Sequence, residues 1–179
     1  MLRVRAREER DSEVIVIEQT SVSQIDQLVD LYEHHYKPDL IHMQPPFFFR
    51  ENAIKIIEGT SRQFGKIFAA RRGSKILGFT VAICDRSPYG ESLISQLVVE
   101  RTARQRGIGT ELIAMAVQWL RDQPTTKEIS IEVDSTDRAT TKIAVKAGFI
   151  IGPWGGYVLA VHTKPQLSPL ETAAALASI

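Results

Sequence analysis

The sequence has 179 residues, which is enough for one domain with a sizeable core and short for two. With 44% hydrophobic and 24% charged residues and a net charge of +1, it lacks the basic excess of a general nucleic-acid or membrane-surface binder. Its one cysteine, Cys84, excludes an internal disulfide and a zinc site built from cysteines, and agrees with a reducing cytoplasm. We therefore expect a cytoplasmic globular protein with no nucleic-acid or membrane partner.

The chain divides by composition into three segments. Residues 1–12 are rich in charge and predict a solvated arm, whereas residues 13–164 carry the strand and helix patterns of a domain. Residues 165–179 form an extension, in which a Ser-Pro-Leu-Glu start predicts a short alanine-rich helix.

The first part of the domain predicts one strand and two helices. β-Branched residues at 14–17 predict the strand. Ser23, followed three residues later by Asp26, predicts a capping box at the start of the first helix. The second helix is expected over residues 50–58, where Gly59 ends it.

Three histidines and a run of aromatic residues lie between these helices. His34 and His35 are adjacent and therefore point to different sides of a helix, and no acidic cluster completes a metal site with His42. We expect no metal. The aromatic run at 47–49 suits a hydrophobic core or a dimer contact.

The middle of the chain predicts a hairpin and then a strand–helix–strand unit. Residues 66–70 and 75–83 are apolar and flank a glycine-containing turn, which indicates the hairpin. Strands are predicted over residues 92–99 and 128–133, with a helix of regular apolar spacing from 108 to 120 between them. Because the connection is helical, the two strands should be parallel with a right-handed crossover.

The turn before this helix, residues 104–109, has the sequence Arg-Gln-Arg-Gly-Ile-Gly. The first N–H groups of a helix lack internal partners and carry partial positive charge, so the turn is a natural anion site. Gly107 and Gly109 remove Cβ atoms that would keep a phosphate away from those groups. Leu112 stands where the dinucleotide-binding fingerprint needs a third glycine, which disfavours that interpretation. A purely structural tight turn remains the alternative.

The last part of the domain predicts a helix and a pair of strands. Asp137 suits the N-cap of the helix, and Gly148 suits a left-handed residue at its C-terminus. Residues 149–151 and 157–161 are expected to pair around a glycine-rich loop.

The loop at 104–109 and the Ala-Gly-Phe ending at 147–149 together resemble the GNAT acyltransferase superfamily. Arg104, Gly107 and Gly109 fill its Arg/Gln-x-x-Gly-x-Gly/Ala pattern. The resemblance implies an α/β fold with a largely antiparallel mixed sheet and helices on both faces. It further implies that a central parallel strand pair splays apart to admit acyl-CoA.

By the same resemblance, acetyl-CoA is the expected acyl donor. Backbone groups of Leu97 and Val99 would pair with the amides of its pantetheine arm, as an added strand pairs with an open edge. Backbone N–H groups from about Arg106 to Thr110 would hold its pyrophosphate. The residues so implied in cofactor binding are Leu97, Val98, Val99, Arg104, Gln105, Arg106, Gly107, Ile108, Gly109, Thr110 and Asp137.

Two positions depart from the family pattern. Asp137 stands where relatives commonly have Asn, and an ionised carboxylate accepts hydrogen bonds but cannot donate them. Ala144 stands where relatives often have the Tyr that donates a proton to the departing thiolate. Alanine has no proton to give, so the acid is unassigned, and Tyr157 is the nearest aromatic hydroxyl in sequence.

The general base is also unassigned by the resemblance. If the alternation of the 91–99 strand is unbroken, one face carries Glu91, Leu93, Ser95, Leu97 and Val99. Glu91 is the nearest carboxylate in that register, and Ser95 is placed to orient a water. Glu91 is equally well explained as a solvated turn residue, and Glu132 and Asp134 on the next strand and Asp85 after the preceding one remain open as alternatives.

We therefore expect an acetyl-CoA-dependent N-acyltransferase in which an amine attacks the bound thioester directly in a ternary complex. The acceptor is a small-molecule or peptide amine, and residues 32–49 would form its side of the pocket. One alternative is a catalytically weak CoA-binding module, raised by the missing tyrosine. Another is an oligomeric interaction protein, such as a homodimer, that uses the aromatic loop and the C-terminal helix.

Overall fold

The computed structural model describes residues 14–36, 45–60, 64–85, 89–131, 133, 137–152 and 157–160. The arm at 1–12 and the helix expected within 165–179 lie outside these ranges. The elements in chain order are β1 (Val16–Gln19), α1 (Ile25–Glu33), α2 (Pro46–Ile57), β2 (Phe64–Arg72), β3 (Lys75–Cys84), β4 (Glu91–Val99), α3 (Ile108–Arg121), β5 (Glu128–Ile131), α4 (Arg138–Lys146), β6 (Ile150–Ile151) and β7 (Tyr157–Ala160).

The strands form one mixed sheet in the order β1-β2-β3-β4-β5-β7-β6. The pairing is antiparallel everywhere except between β4 and β5, which are parallel. The predicted hairpin and the predicted parallel pair are both confirmed. β5 ends at Ile131, two residues earlier than the sequence pattern indicates.

Helices cover both faces of the sheet, as the resemblance implies. On one face α3 buries Leu112 and its apolar neighbours against Ile94 of β4 and Ile129 of β5, and α4 joins this core through Ala144. On the other face α1 and α2 pack over β2 and β3, and Phe79 is fully buried there. We call these the α3 core and the α1 core.

The aromatic run at 47–49 divides between core and surface. Phe49 stacks on Tyr32 with ring centroids 4.1 Å apart and lies 5.4 Å from the ring of Phe79. Phe47 and Phe48 are 71% and 54% exposed. The run therefore helps to fix α1 and α2 on the sheet and leaves two aromatic rings at the surface.

The first helix begins with a different capping box from the predicted one. Ser21 donates its backbone N–H to Gln24 Oε1 at 2.9 Å, ahead of a 3-10 turn at Val22–Gln24 that leads into α1. Asp26 instead pairs with Arg50 of α2 at 2.6 Å. The sequence offers two overlapping cap patterns, Ser21 with Gln24 and Ser23 with Asp26. The first forms the cap, and the carboxylate of the second is used in the contact between the helices.

The second helix begins at Pro46, four residues before the predicted start. Proline suits the first turn of a helix because its φ is already helical and its missing N–H has no partner to lose there. The predicted end is confirmed, since Gly59 adopts φ +70° just after the helix.

His34 and His35 complete the C-terminus of α1. Their Nδ1 atoms lie 2.6 and 2.9 Å from the carbonyl oxygens of Asp30 and Leu31, one turn earlier. Among the residues that the structure describes, no three His, Cys, Asp or Glu side chains come together as a metal site requires. His42 lies outside those residues. Within the described ranges, no helix has the length and apolar character needed to cross a membrane.

Candidate functional site

The site begins where β4 and β5 separate. The two strands pair over four residues each, from Glu91 opposite Glu128 to Ile94 opposite Ile131. β4 then continues to Val99, whereas β5 ends. Among the described residues, 95–99 therefore have no ladder partner on that edge, so within this part of the chain an interior strand presents an open edge. Glu132, which follows β5, lies outside the described residues.

A β-bulge lies at the same point. Gln96 is opposite Val81 and Ile94 is opposite Ala82, so Ser95 is an extra residue with no opposite partner on β3. Ile94 lies in the α3 core, and Leu97 and Val99 also pack against it, an odd spacing that one inserted residue allows. The expectation of unbroken alternation along 91–99 is wrong, because the bulge reverses the faces.

The direction of the backbone groups follows from one ladder bond. Glu100 donates its N–H to the Leu77 carbonyl of β3 at 2.8 Å. Backbone groups of successive residues on a strand point to opposite edges. The N–H and C=O groups of Leu97 and Val99 therefore point away from β3, towards the open edge. This is the orientation that pairing with an extended ligand needs.

The open edge leads directly into the turn before α3. Gln105 has φ +63° and Gly107 has φ +82°, and this double reversal brings the chain from the strand to the helix. Gly107 is the N-cap, and no side chain caps the helix. The first intrahelical bond runs from Glu111 N–H to Gly107 O, so the N–H groups of residues 108–110 have no partner within the helix.

The two glycines of the turn have different roles. A Cβ on Gly107 would meet nothing within 4 Å, so this residue is required for its positive φ and it borders open space. A Cβ on Gly109 would lie 2.9 Å from Ile143 Cδ1 of α4. Gly109 therefore allows α3 and α4 to approach closely, which is a packing role that the motif alone does not reveal.

Positive charge surrounds the turn. Arg101, Arg104 and Arg106 are exposed, and none forms an ion pair with a carboxylate of the described residues. The adjacent Glu100 is paired with Lys75 at 2.9 Å, and this hydrogen bond lowers the pKa of Glu100 below its usual value. Its negative charge is thus balanced by Lys75, and the three arginines outnumber Glu111, the exposed carboxylate in the first turn of α3.

Arg104 also has a structural contact. Its Nε donates to the Val99 carbonyl oxygen at 3.1 Å, at the end of the open edge. A carbonyl has two lone pairs, so this bond leaves capacity for one further donor. The side chains of Val98 and Ile108 are buried in the two cores. The backbone groups of Val98 point towards its register partner Phe79 on β3, so of these two residues only Ile108 presents a backbone N–H at the open site.

Asp137 is the N-cap of α4, as predicted. Its Oδ1 accepts from the N–H groups of Ala139 and Thr140 at 3.1 and 3.0 Å, and its Oδ2 accepts from Thr140 Oγ1 at 2.6 Å. Both oxygens are therefore engaged by the helix itself. A contact between Asp137 and a cofactor stays a prediction.

Asp137→Ala is expected to lower the free energy of unfolding by about 1 kcal/mol, because two backbone N–H groups lose their acceptor. Asp137→Asn should stay within a few tenths of a kcal/mol, since the amide oxygen caps equally well. Denaturant unfolding of the three proteins measures this. Equal stability of Asp137→Ala and the wild type would contradict the cap.

The three candidate catalytic residues, Glu91, Ser95 and Tyr157, lie at different places in the sheet. Glu91 is exposed at the start of β4, about 13 Å along the strand from Ser95, and on the opposite face from Leu97. Ser95 is half-buried at the bulge itself. The backbone of Tyr157 pairs with Ile131, beside the point of separation. The shared face that supported Glu91 is absent, and all three catalytic roles remain predictions.

Thr80 contacts the site, and the sequence pattern does not indicate it. This fully buried residue of β3 donates from Oγ1 to the carbonyl oxygen of Gln96, 2.7 Å away, immediately after the bulge. A threonine within an apolar strand pattern carries no sign of such a contact, because the contact depends on the bulge in the neighbouring strand.

This chain is similar to known proteins both in its family pattern and in its fold. The model of the acetyltransferase (GNAT) family matches residues 25–149. An N-acetyltransferase from Staphylococcus aureus Mu50 is 15% identical, with 83% of this chain and 99% of that chain covered and a TM-score of 0.69. None of the curated proteins compared with the chain matches it.

Two further solved structures have the same fold. The yncA protein of Salmonella typhimurium, solved with its cofactor acetyl-CoA, is 12% identical, with 87% of this chain and 99% of that chain covered and a TM-score of 0.69. The ribosomal-protein-S18-alanine N-acetyltransferase of Escherichia coli is 13% identical, with 86% and 97% covered and a TM-score of 0.66. At these identities the likeness concerns the fold, whereas the family model spans most of the chain. The chain therefore belongs to the acetyltransferase (GNAT) family.

Proposed function

We propose that this protein is an acetyl-CoA-dependent N-acyltransferase that transfers an acetyl group to an amine by direct attack in a ternary complex. The observation that carries the proposal is the continuity of two binding features. The open edge of β4 leads without interruption into the uncapped N-terminus of α3. An extended arm with an anionic end fits both features at once.

The residues present fit this donor. The pyrophosphate would accept from backbone N–H groups of residues 106–110, beside the space that Gly107 borders. The exposed Arg104 and Arg106 would add attraction. From there the pantetheine arm would run back along Val99 and Leu97, and outward backbone groups of both residues, including the Leu97 C=O, would pair with its amides.

The donor supplies an activated acetyl carbon with a thiolate leaving group. The residues of the chain must then orient the amine, accept its proton and deliver a proton to the sulfur. Ser95, at the bulge, is our candidate to orient a water that relays the amine proton. Glu91 lies too far along β4 to reach this water directly, so its role as base needs a relay. Tyr157 is the candidate acid, by its backbone position beside Ile131.

The acceptor is proposed as a small-molecule or peptide amine. The S18-alanine acetyltransferase, which shares the fold, is named for a protein substrate, and this favours including peptides. The α1 core side of the sheet would form the acceptor wall. Tyr36 packs against that core, which supports a fixed position for this part of the wall.

The test is acetyl-CoA turnover over a panel of small amines and peptides with free N-termini, measured by release of the CoA thiol. We expect thiol release with at least one acceptor and equimolar acetylated product. Stabilisation by acetyl-CoA without turnover on any amine would favour the CoA-binding module. Absence of both binding and turnover, with a concentration-dependent oligomer, would favour the interaction protein.

A further inference from the structure

The hydroxyl of Thr80 is hydrogen-bonded to the backbone of β4 at the open edge. Its side chain is fully buried, and its register partner on β4 is Leu97. A buried hydroxyl is costly unless it is hydrogen-bonded, and Thr80 Oγ1 meets this need by donating to Gln96 O at 2.7 Å. The acceptor is the first carbonyl after the bulged Ser95, and it belongs to Gln96, the residue at which the register with β3 resumes opposite Val81.

This hydrogen bond holds the Gln96–Leu97 peptide group, which has a carbonyl at one end and an N–H at the other. The Gln96 carbonyl and the Leu97 N–H belong to one planar trans peptide, so they point in opposite directions. A hydroxyl that holds the carbonyl on the β3 side therefore aims the Leu97 N–H at the open edge. Leu97 N–H is the first outward donor of the regular strand that follows the bulge.

The position of this donor along the edge indicates which part of the ligand it meets. The pyrophosphate end lies at the turn beyond Val99, so the arm runs from there towards Ser95 and its acyl end lies deepest. The Leu97 C=O faces the same edge and remains available to an amide of the arm.

We propose that Thr80 is a positioning residue for acyl transfer, whose hydroxyl holds the Gln96–Leu97 peptide so that the Leu97 N–H donates to the thioester carbonyl oxygen. The inference rests on the proposed function. When the amine attacks, negative charge develops on that oxygen, and a donor already aimed at it stabilises the charge without reorganisation. The C–S bond then breaks, and the sulfur leaves as thiolate and takes up a proton.

The chain provides a matched control for a buried hydroxyl. Ser92 and Thr126 share a hydrogen bond of 2.8 Å and are also fully buried, but Ser92 lies on the paired half of β4 and Thr126 lies just before β5. Thr126→Val removes a comparable bond without touching the peptide beside the open edge. Thr80→Ser retains the hydroxyl and loses only a methyl group.

The test uses acetyl-CoA labelled with 13C at the thioester carbonyl, and isotope-edited infrared spectra of the bound ligand. In the wild type and Thr80→Ser we expect the carbonyl band to shift to lower wavenumber on binding, since a hydrogen bond polarises the carbonyl. In Thr80→Val the Leu97 N–H is still present but is no longer aimed at the thioester carbonyl. At least about half of this shift should therefore be lost. Thr126→Val should match the wild type.

Kinetics give the second measurement. Deleting a donor of this kind typically costs about 10²–10³ in kcat, so a misdirected one should cost about tenfold in Thr80→Val. The KM for acetyl-CoA should change less than about twofold, because the pyrophosphate turn is untouched. Thr80→Ala, which also lacks the hydroxyl and has less bulk, takes the place of Thr80→Val if the latter does not fold.

The outcomes separate the two proposals. A wild type that does not bind acetyl-CoA overturns the proposed function and this inference with it. A wild type that binds, with an unchanged band shift in Thr80→Val, overturns the inference alone. Equal losses of the shift in Thr80→Val and Thr126→Val would likewise overturn it, by showing a general effect of removing a buried hydroxyl.

Discussion

Gly107→Asp is expected to abolish the stabilisation of the fold by acetyl-CoA. In the wild type, ligand at a hundredfold over its dissociation constant should add about 2.7 kcal/mol. For a domain of this size, that corresponds to a rise in Tm of roughly 5–11 °C. The substitution places a carboxylate in the open space beside the uncapped N-terminus of α3, where it repels the pyrophosphate and caps the helix in its place.

Gly59→Asp is the matched control. Gly59 also has a positive φ, +70° against +82° at Gly107, and a Cβ there also meets nothing within 4 Å. Both variants therefore carry similar backbone strain, but Gly59 lies after α2, away from the turn. A thermal-shift titration should show full ligand stabilisation in Gly59→Asp and none in Gly107→Asp. Retained stabilisation in Gly107→Asp would mean that the turn has been misassigned.

Ala144→Tyr is expected to lower the free energy of unfolding by roughly 1–3 kcal/mol, because the ring enters a fully packed core. Ala144 is completely buried in the α3 core, and its carbonyl accepts from the N–H of Phe149 at 3.0 Å. Val145→Tyr, one residue further on the same helix and 56% exposed, should change stability by less than about 0.5 kcal/mol. Denaturant unfolding of both variants provides the comparison.

The burial of Ala144 bears on catalysis, because relatives often have a proton-donating tyrosine at this position. A model thiol has a pKa of about 8.5, so its thiolate is a tolerable leaving group near neutral pH. Lack of a positioned acid costs about 10²–10⁴ in rate, which slows turnover without preventing it. We therefore expect the wild type to turn over. An Ala144→Tyr variant that is as stable as the wild type and faster would contradict the burial argument and restore position 144 as the donor site.

The sequence predicts the order of elements because each element carries its own local signal. The apolar spacing of 108–120, the cap at Asp137 and the glycine turn of the hairpin depend on near neighbours, and the structure confirms each of them. The uncapped helix start at Gly107 was also predictable, since unpaired N–H groups are a property of any helix start, whereas anion binding there stays a prediction.

The details of the site depend on contacts between distant residues, and these were not predictable. Residues 93–99 of β4 carry adjacent apolar side chains on both sides of the polar pair Ser95 and Gln96. The pattern therefore fits either register and does not reveal the inserted residue at Ser95. Gln105 adopts a positive φ that asparagine or glycine would have indicated and glutamine does not. The roles of Gly109 and Thr80 appear only when α4 and β4 are in place.

Because β4 pairs with β5 over only part of its length, its open edge bears on how the protein avoids aggregation. An unpaired strand edge normally invites another chain to pair with it, and proteins protect such edges against aggregation. Here the open edge belongs to an interior strand of the sheet. It is the edge of β4 that faces β5 and β7, and α3 begins at its end. Neighbouring strands are only about 4.8 Å apart where they pair, so a cleft that opens from such a pair is narrow at its base. The fold can thus keep a row of hydrogen-bonding groups ready for a slender flexible ligand and deny them to another polypeptide strand.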